Sequence, residues 1–541
     1  MAQLPSGHLA MRALKQGGVD HLFTLSGAHI FPLYDGCRYE DVRLVDVRHE
    51  QTAAFGAEGL AKLTRQPQVA AVTAGPGVTN AMSAIAAAQV GRSPLLIIGG
   101  RAPLGTWGQG SLQEIDHVPF VAPLTKFAAT AETPESVAAT AQDALRIAGT
   151  PQRGPTFVDV PMDVIFSPAG EETVPGWRTS EPFAVDLDEV ESAAGHLRDA
   201  DRPVIIGGTD VWFGGAWEAL GHLAERLHAP VLLNGMGRGC LPPDHELAFQ
   251  FARGAALKGA DLVLAVGTPL DFRLAHGRFG EANVIHLADH PEGLAQHVEL
   301  AAGVGGDLVA ALTALAGAVD GDGAQRRAWV DQLRDAERAK HEDEAHLLEA
   351  EAAPIHPVRV YGELRRVLDA DAVVICDGGD FVSFAGRYIS SRQPGRWLDP
   401  GPYGCLGTGM GYAIAARLAH PGAQVCVLLG DGAAGFSLMD VDSLVRHNLP
   451  VVMVCGNNGI WGLEKFPMQQ IYDGWDIAAD LQPGLRYEEV VKALGGAGET
   501  VEKAADIGPA LDRAFASGVP YLVNVLTDPT IPYPRGSSSA A

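Results

Sequence analysis

Asp431 and Asn458 stand twenty-seven positions apart in GDGAAGFSLMDVDSLVRHNLPVVMVCGNNGIW, the stretch from Gly430 to Trp461. One offers a carboxylate oxygen and the other an amide oxygen. Hard donors of this kind suit Mg²⁺, which takes few protein ligands and shares itself with a phosphate. Glycines on both sides of Asp431 let the backbone approach a diphosphate closely, and a helix that follows points its amino terminus at the charge. GDG alone reads equally well as a turn. The chemistry rests on what flanks it.

Val425 to Leu429 and Val451 to Cys455 are unbroken apolar runs, the pattern of strands buried on both faces of a parallel sheet. Between them Leu438, Val441, Leu444 and Val445 recur at helical spacing. A right-handed crossover sets the two strands side by side with both carboxyl ends on one edge. Asp431 and Asn458 therefore meet where open α/β sheets bind ligands.

The whole chain has room for such a fold several times over. Its 541 residues suffice for about three domains. With 47% hydrophobic and 19% charged residues, 65 glycines and 35 prolines, it has the composition of a compact protein rich in turns. No apolar stretch reaches the roughly 18–20 residues of a membrane span. The amino terminus, MAQLPSGHLAMRALKQGG, lacks a signal-peptide core. Six cysteines without CxxC spacing suit a reducing cytoplasm. A net charge of −25 argues against nucleic acid as a partner, yet leaves room for a phosphorylated cofactor held by metal and backbone amides. The expected partner is a small-molecule substrate, with neither nucleic acid nor membrane.

Three segments divide the chain, all expected to be doubly wound parallel α/β layers. The first, 1–170, has strand-like runs at Gln68 to Thr73 and Pro94 to Ile98 and closes with GPTFVDVPMDV. A Pro/Gly-rich connector follows. The central segment, 185–345, carries PVIIGG, PVLLNG, LVLAVG and NVIHLA and ends in a charged helix expected to be a solvated linker. The last, 354–535, precedes a polar tail, GSSSAA, expected to be mobile. No short tandem repeat is visible.

The motif around Asp431 resembles the diphosphate-binding motif of thiamine diphosphate enzymes, and the resemblance extends over nearly the whole chain. RHEQTAAFGAEGLAKLTRQP is similar to that family's cofactor-activating segment, and TAGPGVTN follows in the family's order. The resemblance implies a pyrimidine-binding domain, a central domain and a diphosphate-binding domain. It makes Glu50 the acid that bonds N1′ of the aminopyrimidine and favours the imino tautomer, whose nitrogen takes the thiazolium C2 proton. ICDGGDF places Gly378 and Gly379 at the diphosphate, and GCLGTGMGYAIAA places Leu406 as the apolar wedge that bends the cofactor. Gly430, Asp431, Gly432, Ala433 and Asn458 complete the cofactor set, with Asp431, Asn458 and Ile460 as the metal set. In this family one site draws on two chains, which implies a homodimer at minimum and a homotetramer in full.

Several stretches bear on the branch. LSGAHI and the Gln before IDHV resemble benzaldehyde lyase, which implies a proton-handling role for His29, where acetolactate synthases usually carry an apolar residue, and makes Gln113 a hydrogen-bond partner of the substrate-derived oxygen. A His with a pKa near ~6.5 shuttles protons at neutral pH. FARGAALKGAD and GFSLMDVDSL resemble the oxalyl-CoA decarboxylase and 2-hydroxyacyl-CoA lyase branch. There, an Arg near Arg253 helps bind an adenine nucleotide in the central domain. Trp461 stands where oxalyl-CoA decarboxylases carry Tyr, and Glu464 one turn later faces either substrate or solvent. DFRLAHG and the chain as a whole read like acetolactate synthases. A GMHG-type loop that holds FAD there is missing, which argues against flavin. Arg253 and Lys126 are further candidates for anionic groups. The expected function is that of a carboligase or lyase using thiamine diphosphate and Mg²⁺. The alternatives are a 2-hydroxyacyl-CoA lyase or oxalyl-CoA decarboxylase, and a homologue that binds the cofactor without turnover. Glu50, Asp431 and Asn458 occurring together argue against the last. A flavin or nicotinamide oxidoreductase needs a better glycine fingerprint than PVIIGGTDVW.

Overall fold

The computed structural model describes residues 3–319 and 323–534, so the GSSSAA tail lies outside the described residues. Three parallel sheets follow one another along the chain. The first holds β1 (His21–Thr24), β2 (Arg43–Asp46), β3 (Gln68–Val72), β4 (Leu95–Arg101), β5 (Phe127–Thr130) and β6 (Thr156–Pro161) in the order β2-β1-β3-β4-β6-β5. The central sheet holds β7 (Pro203–Gly207), β8 (Val231–Leu233), β9 (Leu262–Val266), β10 (Asn283–Ala288) and β11 (Ala302–Gly305), ordered β8-β7-β9-β10-β11.

The last sheet holds β12 (Val373–Asp377), β13 (Trp397–Leu398), β14 (Val425–Gly430), β15 (Val452–Asn457), β16 (Ala497–Val501) and β17 (Tyr521–Leu526). Its order, β13-β12-β14-β15-β17-β16, repeats that of the first sheet strand for strand. The outer segments thus share one topology that their sequences do not advertise. All three sheets are parallel throughout, as strands buried on both faces require.

Two helices fasten the outer segments together. α1 (Glu50–Thr64) opens with His49 Nδ1 accepting the Gln51 amide, and α2 (Pro76–Val90) follows β3. α1 lies along a helix of the last segment, Gly409–Ala419, so closely that a Cβ on Gly411 would sit 2.8 Å from Phe55. Inside this contact Glu58 is fully buried and accepts from Ser93 and Tyr412 hydroxyls, each at 2.9 Å, while Lys62 donates to Tyr412 at 2.8 Å.

The linker helix, Arg327–Leu348, is less solvated than its charge suggests. Trp329, Val330 and Leu333 are buried, Glu337 accepts the amides of Gln250, Phe251 and Ala252, and Glu344 pairs with Arg387. Glu337 and Glu344 thus hold the central and last segments, while Asp331, Asp335, Glu342 and Asp343 face water as expected.

The crossover after Asp431 also differs from the single helix the spacing predicts. It is broken into Asp431–Ser437, a 3-10 turn at Leu438–Asp440 and Val441–Arg446. The break lets buried Asp440 accept from the Thr52 hydroxyl at 2.6 Å and from the Arg48 amide at 2.7 Å, tying the crossover to α1.

Candidate active site

β14 and β15 pair in parallel with Gly430 opposite Gly456, so Asp431 and Asn458 leave the sheet at the same edge. Around them is a cavity of about 250 Å³ lined by Gly378, Gly379, Leu406, Gly430, Asp431, Gly432, Ala433, Asn458, Ile460 and Glu464, along with their neighbours. Every residue expected at the diphosphate therefore meets in one place. Gly430 would carry a Cβ into open space, whereas a Cβ on Gly432 would strike the Trp461 ring at 2.4 Å. The indole thus packs on the Asp431 turn and covers one side of it.

Asp431 is buried and accepts the Gly459 amide at 2.7 Å and the Gly432 amide at 3.1 Å. Burial pushes its carboxyl up to about 6, against the pull of those amides. A buried carboxylate held only by backbone amides is a fitting place for a cation. Asn458 Oδ1 accepts the Ile460 amide at 3.2 Å, turning the chain after Gly459. One carboxylate, one amide and backbone oxygens are too few to enclose a metal, and suit Mg²⁺ completed by phosphate. Among the described residues no group of three or more His, Cys, Asp or Glu side chains is arranged to hold a metal by itself.

Leu406 is half-buried on the cavity wall, not a core leucine. Its loop is pinned by Asp377 at the end of β12, which accepts the Gly407 and Gly409 amides at 3.0 and 2.8 Å. Glu464 lines the same cavity from an exposed position on the helix Gly462–Ile471.

The amino-terminal candidates gather at the carboxyl edge of the first sheet. Glu50 is buried at the start of α1 and accepts from Asn80 Nδ2 of α2 at 3.0 Å. His29 is buried with Nδ1 3.0 Å from Thr73 Oγ1, and that hydroxyl donates to Gln113 Oε1 at 3.3 Å. Thr73 has one proton to give, and Gln113 takes it. Its oxygen therefore accepts from His29 Nδ1–H, which leaves Nε2 as the basic nitrogen. Burial, then the nearby His117, lower the His29 pKa, so its imidazole is neutral at pH 7.

Beneath these residues, His117 Nε2 accepts the Gly75 amide at 2.9 Å, and its Nδ1–H donates to Asp159, which also receives Arg101. This relay fixes the TAGPG turn. His29 and Gln113 are thus joined through Thr73, while none of the amino-terminal candidates lines the diphosphate cavity.

Asn80, Thr73, His117, Asp159 and Asp377 escaped the sequence reading. TAGPGVTN and the Asp of ICDGGDF contain three of them and were the available signals.

Two further candidates fall elsewhere. Lys126 donates to the Ile147 and Thr150 carbonyls and to the Thr150 hydroxyl, closing a helix end, so it is not free for substrate. Arg253 is half-buried near Arg238 and Arg273, and burial with those charges brings its guanidinium down to about 10. In the central domain the crevice at the strand ends is closed. Arg92 reaches Asp210 at 2.9 Å, Arg153 reaches Asp289 at 3.0 Å, and the space left beside Asp210 is about 40 Å³. A dinucleotide there meets two buried carboxylates and no room, so the residues present do not fit FAD.

The chain matches the thiamine pyrophosphate enzymes (pyrophosphate and diphosphate being the same group) in three blocks. These are the N-terminal TPP binding domain over residues 6–120, the central domain over 190–315 and the C-terminal TPP binding domain over 377–525. Acetolactate synthase large subunit IlvG of Mycobacterium tuberculosis is 54% identical over 539 residues, covering 99% of this chain and 98% of its own. The 2-hydroxyacyl-CoA lyase 2 of Caenorhabditis elegans is 33% identical over 578 residues, covering 97% and 90%. Its counterpart in Homo sapiens is 32% identical over 576 residues, covering 96% and 89%. Matched in three successive blocks and by relatives from end to end, the chain belongs to the thiamine pyrophosphate-dependent enzymes.

Proposed function

We propose that this enzyme is a carbon–carbon lyase and carboligase of acetolactate synthase type, acting on 2-oxo acids or 2-hydroxy carbonyl compounds with thiamine diphosphate and Mg²⁺. The observation that carries the reading is the single cavity in which Asp431, Asn458 and the glycines after β12 and β14 converge. When bound, thiamine diphosphate supplies a nucleophilic C2 and an electron sink. Asp431, Asn458 and the Ile460 backbone would hold Mg²⁺ with the diphosphate, Gly430 leaves room for it, and Leu406 on the cavity wall would pack against the cofactor. Glu50 holds a proton against the aminopyrimidine, with Asn80 keeping its carboxyl in place. His29 Nε2 takes a proton from substrate hydroxyl, and Gln113 donates its amide N–H to substrate oxygen. Flavin has no part in this reading.

His29→Ala tests the chemistry. Breaking a 2-hydroxy ketone or 2-hydroxyacyl-CoA requires deprotonating its hydroxyl, whereas loss of CO₂ from a 2-oxo acid does not. Lyase turnover is expected to fall roughly 10²–10⁴-fold, with cofactor affinity unchanged. The wild-type rate should be flat near neutrality and fall as pH drops through a pKa below the usual ~6.5, because protonated His29 accepts no proton. That acid limb should vanish in the variant. Equal losses of pyruvate decarboxylation and acyloin cleavage would reduce His29 to shaping the pocket.

The second reading, a 2-hydroxyacyl-CoA lyase, draws on the nearness of Arg238, Arg253 and Arg273, cations able to meet anionic groups of a coenzyme A thioester. A product survey with pyruvate, a benzoin-type acyloin and a 2-hydroxyacyl-CoA decides between them. An adenine nucleotide would need the same face of the central domain, where Asp210 and Asp289 oppose it.

The working unit is a homodimer, paired into a homotetramer, because Glu50, His29 and Gln113 do not line the chain's own diphosphate cavity. Specific activity should fall on dilution in step with dimer loss by light scattering, and a fully active monomer would refute this. Six free thiols, five of them buried, suit the cytoplasm.

A further inference from the structure

Away from the diphosphate cavity, a second cavity of about 320 Å³ lies among β8, the linker helix Arg327–Leu348 and the residues after Tyr388. Its size falls in the usual range for small-molecule sites, about 300–1,000 Å³. Leu233, Phe249 and Phe251 give it apolar walls, and Arg238, Arg334, Arg338 and Arg365 stand around them, with Glu337 held by the amides of Gln250, Phe251 and Ala252. A neighbouring cavity of about 290 Å³ shares Arg365.

The four arginines differ in what they are free to do, and Arg238 is spent on the Gly386 carbonyl at 3.0 Å and on the Trp397 ring. Arg334 lies 4.2 Å above the Phe249 ring and donates to the Ala248 and Glu246 carbonyls, so it forms wall. Arg338 pairs with Asp335. Arg365 makes no hydrogen bond or ion pair among the described residues, although it lines both cavities. In a chain of net charge −25, an unpaired guanidinium beside an aromatic wall selects an anion with an apolar body.

The place of the cavity matters too. The helix Asp380–Tyr388 starts at the diphosphate cavity, where Asp380 and Phe381 form part of the lining. It ends at Tyr388, which lines the cavity shared with Arg365 and donates to Glu344 at 2.9 Å. Nine residues of helix, about 13 Å, separate the diphosphate cavity from the neighbouring cavity, and Ser390 and Ser391 just beyond the helix line both that cavity and the larger one.

We propose that this cavity is an effector site for a small monoanion with an aliphatic or aromatic body, its carboxylate on Arg365 and its body against Phe249 and Phe251. Hexanoate is the probe and hexanamide its neutral control, titrated by calorimetry into the cofactor-loaded enzyme and into Arg365→Ala. The exposed Arg365 is outside the diphosphate cavity, so the variant should keep basal turnover. Hexanoate should bind saturably to wild type and at least about tenfold more weakly to the variant, while hexanamide stays silent. Absence of saturable binding, or equal affinity in Arg365→Ala, overturns the site. So does a variant that loses subunits in light scattering while hexanoate has no effect, since the cavity would then be a contact between chains.

Discussion

Asp431→Ala is expected to fold normally and to lose both thiamine diphosphate and Mg²⁺. The wild-type carboxylate is buried at the end of β14 with only two backbone amides as partners. Removing it strips the anionic ligand from a donor set already too small to hold a metal alone. Outer-shell changes around metals cost roughly 10–100-fold in affinity, and a direct ligand should cost more. Stability changes little, because the orphaned Gly459 amide, at about 1–3 kcal/mol, is offset by removal of a desolvated carboxyl. Asp431→Asn keeps an acceptor for the amide but not the charge, and should lose binding as well. Calorimetry with cofactor and Mg²⁺, alongside thermal unfolding, separates the two effects. Unchanged cofactor affinity in Asp431→Ala would remove this residue from the metal site.

Glu50→Gln should behave in the opposite manner, binding cofactor but failing to activate it. The side chain is buried, near-isosteric, and its one observed partner is the Asn80 amide. An amide at position 50 has no acidic proton to share with the aminopyrimidine. Exchange of the cofactor C2 proton, followed by NMR in D₂O, should slow roughly 10²–10⁴-fold. Asn80→Ala should give a smaller loss, since it only frees the carboxyl to wander. Exchange at the wild-type rate in Glu50→Gln would take the activating role away from Glu50.

The diphosphate side was legible because its residues follow strands whose apolar runs are unambiguous, and parallel pairing leaves one edge for all of them. Glu50 was singled out only through resemblance, since a Glu at a helix start is ordinary; the structure adds that it is buried and bonded to Asn80. Residues that act through partners were not legible. Asn80 reaches Glu50 across two helices, and Asp377 holds the Leu406 loop from thirty positions away. Such pairs are set by packing, which leaves no local spacing to read. Edge strands also hid, as with Ala302–Gly305, whose AGVG carries too little apolar weight to announce itself. The crossover helix breaks near Ser437, where Asp440 bonds Arg48 and Thr52, contacts invisible in its own periodicity.

The buried Glu58–Lys62–Tyr412 contact has a bearing on modularity. Three polar groups from two outer segments satisfy one another where water is excluded. The Glu58–Lys62 pair lies within α1, so what the last segment supplies is the Tyr412 hydroxyl, and losing a hydrogen-bond partner of a buried charge costs about 1.5–3 kcal/mol. The contact therefore works as a password. A chimera that takes its last segment from a relative is expected to dock more weakly on this amino-terminal segment if it brings no phenol to the place of Tyr412. An exchange that moves both outer segments together is therefore expected to keep more stability than one that moves either alone.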